Sequence, residues 1–370
     1  MTAPTTGRTT VTRAGAPSRI GTVAVLGATG AVGRAVCAML SRAGVPVRGA
    51  ARRVGTADLP ACVMTAAVDV SDPSALHAFC VGSQVIVNCA APSSRTSGPV
   101  ARAAARCGAD LVDAGDAHDP ADAASPVRVA VRSAGMSPGL SELLLRRVVL
   151  GAGDVTTVTT HLGGLDRFAA GGAADYLAGL GPGSGAGLAW RGAGAVPSPV
   201  GARHDVDLPP FRGPVGLYPY LGPDTVATLR ALGVPDADAF AVFPGIAVRA
   251  VLGRVTAAGT GADAVAELRR AAELDLAGRR PYHVLRAVAE GPAGIRTAVL
   301  RVTSAVDVAA AVVAVTVICV LAGRVPPGSH RAADVLDPAA AVDEAVRLAG
   351  GILRETTSDA GGTDDEEGRL

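Results

Sequence analysis

Apolar positions in this chain fall into two alternating rhythms over roughly its first 150 residues. Short β-branched runs are followed by longer stretches with helical spacing. Residues 22–26 (TVAVL) are almost wholly apolar, which suits a strand buried on both faces of a parallel sheet. Residues 31–42 then read as an apolar-periodic helix. Further strands are predicted at 46–51, 63–70, 84–89, 109–116 (with an exit loop) and 127–133. Helices are predicted from Asp72-Pro73-Ser74 through Cys80, over 99–107, and from Ser137-Pro138-Gly139 to about Leu150, with Pro73 in a first turn. Strands alternating with helices predict an α/β fold with a doubly wound parallel sheet.

The second half reads differently. Residues 154–162 (DVTTVTTHL) alternate as a strand does. Residues 163–215 are rich in Gly and Pro, predicting loops and short elements. A helix is expected over 224–232, short strands over 238–250, and a helix over 261–276. Two strands, 282–290 and 296–304, flank a Gly-Pro-Ala-Gly turn. This predicts a second α+β domain with a mostly antiparallel sheet. Residues 308–323 are apolar throughout, but 16 residues fall short of the roughly 20 that span a bilayer, so a buried helix is expected. The expected organisation is a disordered tail (1–18), a first domain (19–150), a second domain serving substrate and dimerisation (151–325), a segment returning to the first (326–354), and an acidic disordered tail (355–370).

Between the first strand and the first helix stands Gly27-Ala28-Thr29-Gly30-Ala31-Val32-Gly33. In this strand–turn–helix context the glycine spacing is that of a dinucleotide-binding turn. Gly27 lets the chain turn off the strand, Gly30 lets backbone approach a pyrophosphate, and Gly33 lets the helix pack closely. The second strand ends in Arg52-Arg53, where NAD-binding chains usually carry an acid for the ribose 2′-hydroxyl. An arginine pair there suits a 2′-phosphate, so the expected cofactor is NADP(H). Asp69 is placed beside the adenine, and Asn88, Ala90 and Pro92 under the nicotinamide side.

Composition narrows the chemistry. Net charge is +1 and aromatic content 3%, which argues against bulk attraction to nucleic acid or anionic membrane and against base-stacking surfaces. All 34 basic residues are Arg, so no lysine Schiff base or lysine general base can operate. The six cysteines lack a CxxC pair, which is no zinc pattern and fits buried thiols in a reducing cytoplasm. No metal and no signal peptide are expected.

Several ordered segments together carry a family likeness: GATGAVG, VIVNCAAP, GPVARAAARCGADLVDAGD and SAGMSPGLSELL, then more thinly GGAADYLAG and GRVPPGSH. The chain resembles the saccharopine dehydrogenase-like NAD(P)-dependent reductases, well over 20–150 and thinly to about 352. It departs at Leu111-Val112, where the family often has an aromatic residue, and at Asp116, where Glu is common. The resemblance implies a cytoplasmic homodimer that reduces an imine or related C=N group of a small carboxylate-bearing metabolite. Reduction of C=C or C=O, and non-catalytic NADP(H) sensing, stay open. Without lysine the proton donor falls to His, Tyr or acids; the candidates are Asp113, His161, Tyr176 and Tyr218, with Asp116 and His118 nearby. Arg191, Arg203 and Arg212 are candidate carboxylate clamps.

Overall fold

The computed structural model describes residues 21–53, 59–61, 63–115, 128–181, 183–258 and 262–359. The chain opens with β1 (Val23–Leu26), α1 (Ala31–Arg42), β2 (Val47–Ala51), β3 (Met64–Ala67), α2 (Pro73–Cys80), β4 (Val85–Asn88), α3 (Ser93–Cys107), β5 (Asp110–Asp113), β6 (Val129–Arg132) and α4 (Leu140–Leu150). The six strands pair in parallel in the order β3-β2-β1-β4-β5-β6, the doubly wound arrangement expected. β1 and β4 are fully buried, as their unbroken apolar runs required.

One helix departs from expectation. α3 starts at Ser93, six residues before the predicted start, and carries Pro99 inside it. Its first turn is stabilised from elsewhere in the fold: Asp175 accepts hydrogen bonds from the Ser93 amide at 2.7 Å and hydroxyl at 3.0 Å. A cap that arrives from 82 residues away is invisible to local pattern.

The remaining elements are β7 (Thr157–Leu165), α5 (Ala170–Ala178), β8 (Leu188–Arg191), β9 (Gly194–Pro197), β10 (Arg203–Val206), β11 (Val215–Pro219), α6 (Pro223–Leu232), β12 (Asp236–Phe243), α7 (Ile246–Ala258), α8 (Ala262–Leu276), β13 (Tyr282–Gly291), β14 (Gly294–Val302), α9 (Ala305–Leu321), β15 (Gly328–Arg331), α10 (Ala332–Val335), α11 (Pro338–Ala349) and β16 (Ile352–Asp359). The second sheet runs β10-β11-β12-β7-β13-β14-β16, with β8 on β12 and β9 on β8. All its pairs are antiparallel except β12 with β7. Where short strands were expected over 238–250, β12 ends at Phe243 and α7 follows. Asp275 caps α7 through the amides of Ala247 and Val248 at 3.0 and 2.8 Å, another long-range cap. Residues 163–215 hold α5 and β8 to β10 as well as loops.

α9 explains its own composition. It lies against α1 and α11 and over β4 and β5, so it is buried nearly all round. Among the described residues no helix is long and apolar enough to cross a membrane. The chain then returns to the first sheet, where β15 pairs in parallel with β6 as a seventh strand. α11 packs on α4 and α9, and β16 crosses back to pair with β14. The expected disordered tail from 355 is corrected here, since residues 355–359 complete this strand. One hydrophobic core runs from the first sheet through α9, α4 and α11 to the near face of the second. A smaller cluster around Leu217, Val242 and Val284 lies on the far face, and another joins α5, α7 and α8.

Candidate functional site

The carboxyl ends of the first sheet's strands border a cavity of about 1090 Å³ that extends to the second sheet. At its first end is the glycine turn. Gly27 has φ +74°, and a Cβ there would lie 2.6 Å from the Cys89 carbonyl oxygen. At Gly33 a Cβ would lie 2.2 Å from the Gly27 carbonyl oxygen, so α1 can sit this close to β1 only with glycine. Gly30 is the N-cap of α1 and supplies no side-chain cap, which leaves first-turn amides available to an anion. Gly27, Thr29, Gly30, Ala31 and Val32 line the cavity. Ala28 and Gly33 do not; Ala28 is buried and its amide donates to Ala50.

Arg52 and Arg53 line the rim just past β2, both exposed. Asp69 lines it too. Its Oδ1 accepts from the Ser71 amide at 2.9 Å and hydroxyl at 2.7 Å, and these bonds hold its carboxyl below the usual range. Asn88, Ala90 and Pro92 form the next stretch of wall.

Asp113 is corrected from catalytic candidate to support. It is 1% exposed and does not line the cavity. Its Oδ2 accepts from Asn88 Nδ2 at 3.0 Å and its Oδ1 from the Gly115 amide at 2.8 Å. Asn88 Oδ1 in turn accepts from the Ala90 amide at 3.1 Å, so the pair fixes the β4 exit loop. Asp116 and His118 lie outside the described residues.

Strand alternation sorts the second sheet's contribution. Leu285, Ala287 and Ala239 pack toward α4 and the shared core, whereas Val284, Val242 and Leu165 pack on the far face. His161 is paired in register with Phe240 and Arg286. Its ring stacks on Phe240 with centroids 5.4 Å apart, and Arg286 Nη1 lies 3.5 Å from its Nδ1. Burial and the neighbouring guanidinium push its pKa down to about 4. His161 lines the cavity together with Phe240 and Arg286, its ring held in that stack. Tyr176 does line the cavity, in tilted contact with Phe168 and edge-on to Phe243. Burial, with the nearby Tyr220 and Tyr218, pushes its phenol up. Tyr218 does not line the cavity; it sits one ring further out, against Phe243 and His204. Arg191 is bidentate to Asp238, Arg212 lies over the Tyr282 ring, and neither these nor Arg203 line the cavity. The arginines that do include Arg95, Arg167 and Arg286.

Sequence reasoning missed two acid-bearing groups in the wall. Glu142, in the first turn of α4, is 2% exposed. Its Oε2 accepts from the Gly139 amide at 2.7 Å and Ser141 hydroxyl at 2.8 Å, and its Oε1 from Thr225 at 2.8 Å. Burial raises its pKa against those bonds. The Gly-x-x-Glu spacing at the helix start was the available signal. The other group is Asp166 with His283, 3.5 Å apart between Oδ2 and Nε2, which comes together only when β7 pairs with β13. Among the described residues no cluster suited to a metal ion is found.

The profile of the NAD dependent epimerase/dehydratase family matches residues 23–111. This segment spans the glycine turn, the Arg52-Arg53 rim and Asn88, and over it the chain is similar to that family's NAD-binding domain. Among solved structures, a Rossmann-fold NAD(P)-binding family protein from Shigella flexneri is 20% identical over 25% of this chain and 51% of its own, with a TM-score of 0.24. A short-chain dehydrogenase/reductase from Veillonella parvula in complex with NADP is 17% identical over 25% and 46%, TM-score 0.24. A short-chain dehydrogenase/reductase superfamily protein from Agrobacterium tumefaciens with bound NAD is 25% identical over 26% and 32%, TM-score 0.22. The chain thus spans about half or less of the length of these structures. No curated protein matches it. The saccharopine dehydrogenase-like subtype is not among these matches.

Proposed function

We propose that this chain is an NADP(H)-dependent oxidoreductase that delivers hydride to an imine, or related C=N group, of a small carboxylate-bearing metabolite. The observation that carries the reading is the continuous cavity joining the glycine turn to the second sheet. Its volume is at the upper end of ligand sites, about 300–1,000 Å³, which accommodates a dinucleotide with a small second molecule beside it. The residues fit the cofactor: Gly27 and Gly33 bring strand and helix together, and the uncapped α1 start faces anionic groups. Arg52 and Arg53 would take the 2′-phosphate, where an acid would repel it. When bound, the dinucleotide supplies the hydride. The chain contributes orientation through the Asn88–Asp113 support, and a wall of small side chains (Thr160, Ala239, Ala241, Ala287) that leaves room for substrate.

Calorimetric titration with NADPH and NADH tests this. Arg52→Ala with Arg53→Ala should weaken NADPH about 10-fold or more and leave NADH nearly unchanged, since a charge-assisted bond contributes about 1.5–3 kcal/mol. Equal weakening of both nucleotides would remove the NADP assignment, and binding of neither by the unaltered protein would remove the oxidoreductase reading.

A further inference from the structure

We infer that Asp166 and His283 form the proton-transfer pair of this site, an assignment that rests on the oxidoreductase reading above. Asp166 follows the last residue of β7, and His283 is the second residue of β13, paired in register with Gly164. Alternation puts both on the cleft side of the second sheet, and both line the cavity. Their side chains are 17% and 16% exposed, so the pair is desolvated yet open to a ligand. His283 Nδ1 is sealed from solvent and has no hydrogen-bond partner among the described residues. The ring's accessible edge is therefore the Nε2 side, the side that faces Asp166.

The carboxylate is held in place by backbone. Oδ1 accepts from the Arg167 amide at 2.7 Å, and Oδ2 from the Ala305 amide at 3.2 Å. Ala305 is the first residue of α9, a 17-residue helix whose positive end thus meets the negative charge. Burial works against ionisation of Asp166, but His283 and these two amides hold its carboxyl below the usual range. A charged, oriented carboxylate beside an imidazole is what a general acid needs to carry a proton and keep its orientation.

Several other proton carriers of the wall are committed elsewhere. Glu142 accepts three hydrogen bonds. Asp175 caps α3. The His161 ring is stacked on Phe240 with the Arg286 guanidinium against its Nδ1. Reduction of a C=N bond adds a hydride at carbon and shifts the π pair to nitrogen, which must then gain one proton. His283 Nε2 lies 3.5 Å from Asp166 Oδ2 and so is not firmly hydrogen-bonded to it. It gives that proton to the substrate nitrogen and is left neutral, and bulk solvent returns it. In the reverse direction the same nitrogen accepts the proton.

The test compares the full-length protein with His283→Gln and Asp166→Asn. Turnover is followed as NADPH oxidation with a panel of small 2-oxo acids, each with and without ammonium or methylamine. His283→Gln should lower kcat about 100-fold or more. KM and NADPH affinity by calorimetry should stay within about threefold, and one limb of the pH–rate profile should disappear. Asp166→Asn should give a smaller kcat loss and move that limb. Independently of turnover, ¹⁵N NMR of histidine-labelled protein without nucleotide should show the His283 Nε2 resonance respond to Asp166→Asn. An unaltered kcat and pH profile in His283→Gln would overturn the assignment, as would a parallel loss of NADPH affinity or an unresponsive Nε2. If the unaltered protein binds NADPH but reduces no member of the panel, the oxidoreductase reading fails first and takes this role with it.

Discussion

His161 shows how a single residue's neighbours redirect its chemistry. Its imidazole is buried against Phe240 and meets the Arg286 guanidinium, so the proton is disfavoured and its pKa falls from 6.5 to about 4. The unfolded chain takes up that proton as pH drops through 6.5, while the folded chain resists it until about pH 4. Stability therefore declines with falling pH across that window and is fully present above it, a swing of order 3 kcal/mol from this group. Thermal unfolding from pH 4 to 7 checks this. His161→Phe should flatten the dependence in that window, and an unchanged slope would show that other groups dominate.

At the scale of elements, the caps that matter most come from far away in the chain. Asp175 of α5 caps α3, and Asp275 of α8 caps α7. The first of these also ties the helical cluster over the cavity to the first domain, beside the β4 exit loop. Asp175→Ala should lower stability by about 1 kcal/mol, the usual cost of a lost cap. It should also raise hydrogen exchange at the start of α3 more than elsewhere. Protection that stays unchanged there would mean the cap is dispensable. Pattern reading located α1, α2, α4 and the β13–β14 pair closely, because each buries a regular apolar stripe and carries its own local start or stop signal. It misplaced the start of α3 and missed α7, because those starts depend on partners absent from their own neighbourhoods.

For the whole molecule, the governing fact is that one core spans both sheets. Leu144 of α4 is 1% exposed and belongs to the cluster that also contains Val87 of the first sheet and Leu300 of the second. Leu144→Ala should cost about 2–5 kcal/mol. Trp190, the single tryptophan, is buried on β8 and reports on the second sheet. Its fluorescence and the far-UV circular dichroism should lose structure in one coincident transition, before and after the substitution. Two separated transitions would show that the domains unfold independently. The crossing of the chain at 328–359, first to β6 and then to β14, works in the same direction.

By itself the sequence determined the doubly wound first sheet and its nucleotide turn. β1, Gly27 and α1 are contiguous, and glycine spacing between a buried strand and a helix has few other physical uses. It also placed the Arg52-Arg53 rim, since that pair directly follows a strand. It could not decide which side chains of the second sheet face α4. A one-residue change of phase in β7 exchanges His161 for Thr160, and only pairing with β12 and β13 sets which face meets α4. The same pairing brings Asp166 beside His283, 117 residues later in the chain, and the start of α9 then holds the carboxylate. Contacts over such distances follow from sheet register and from where α9 packs, and tertiary structure alone supplies both.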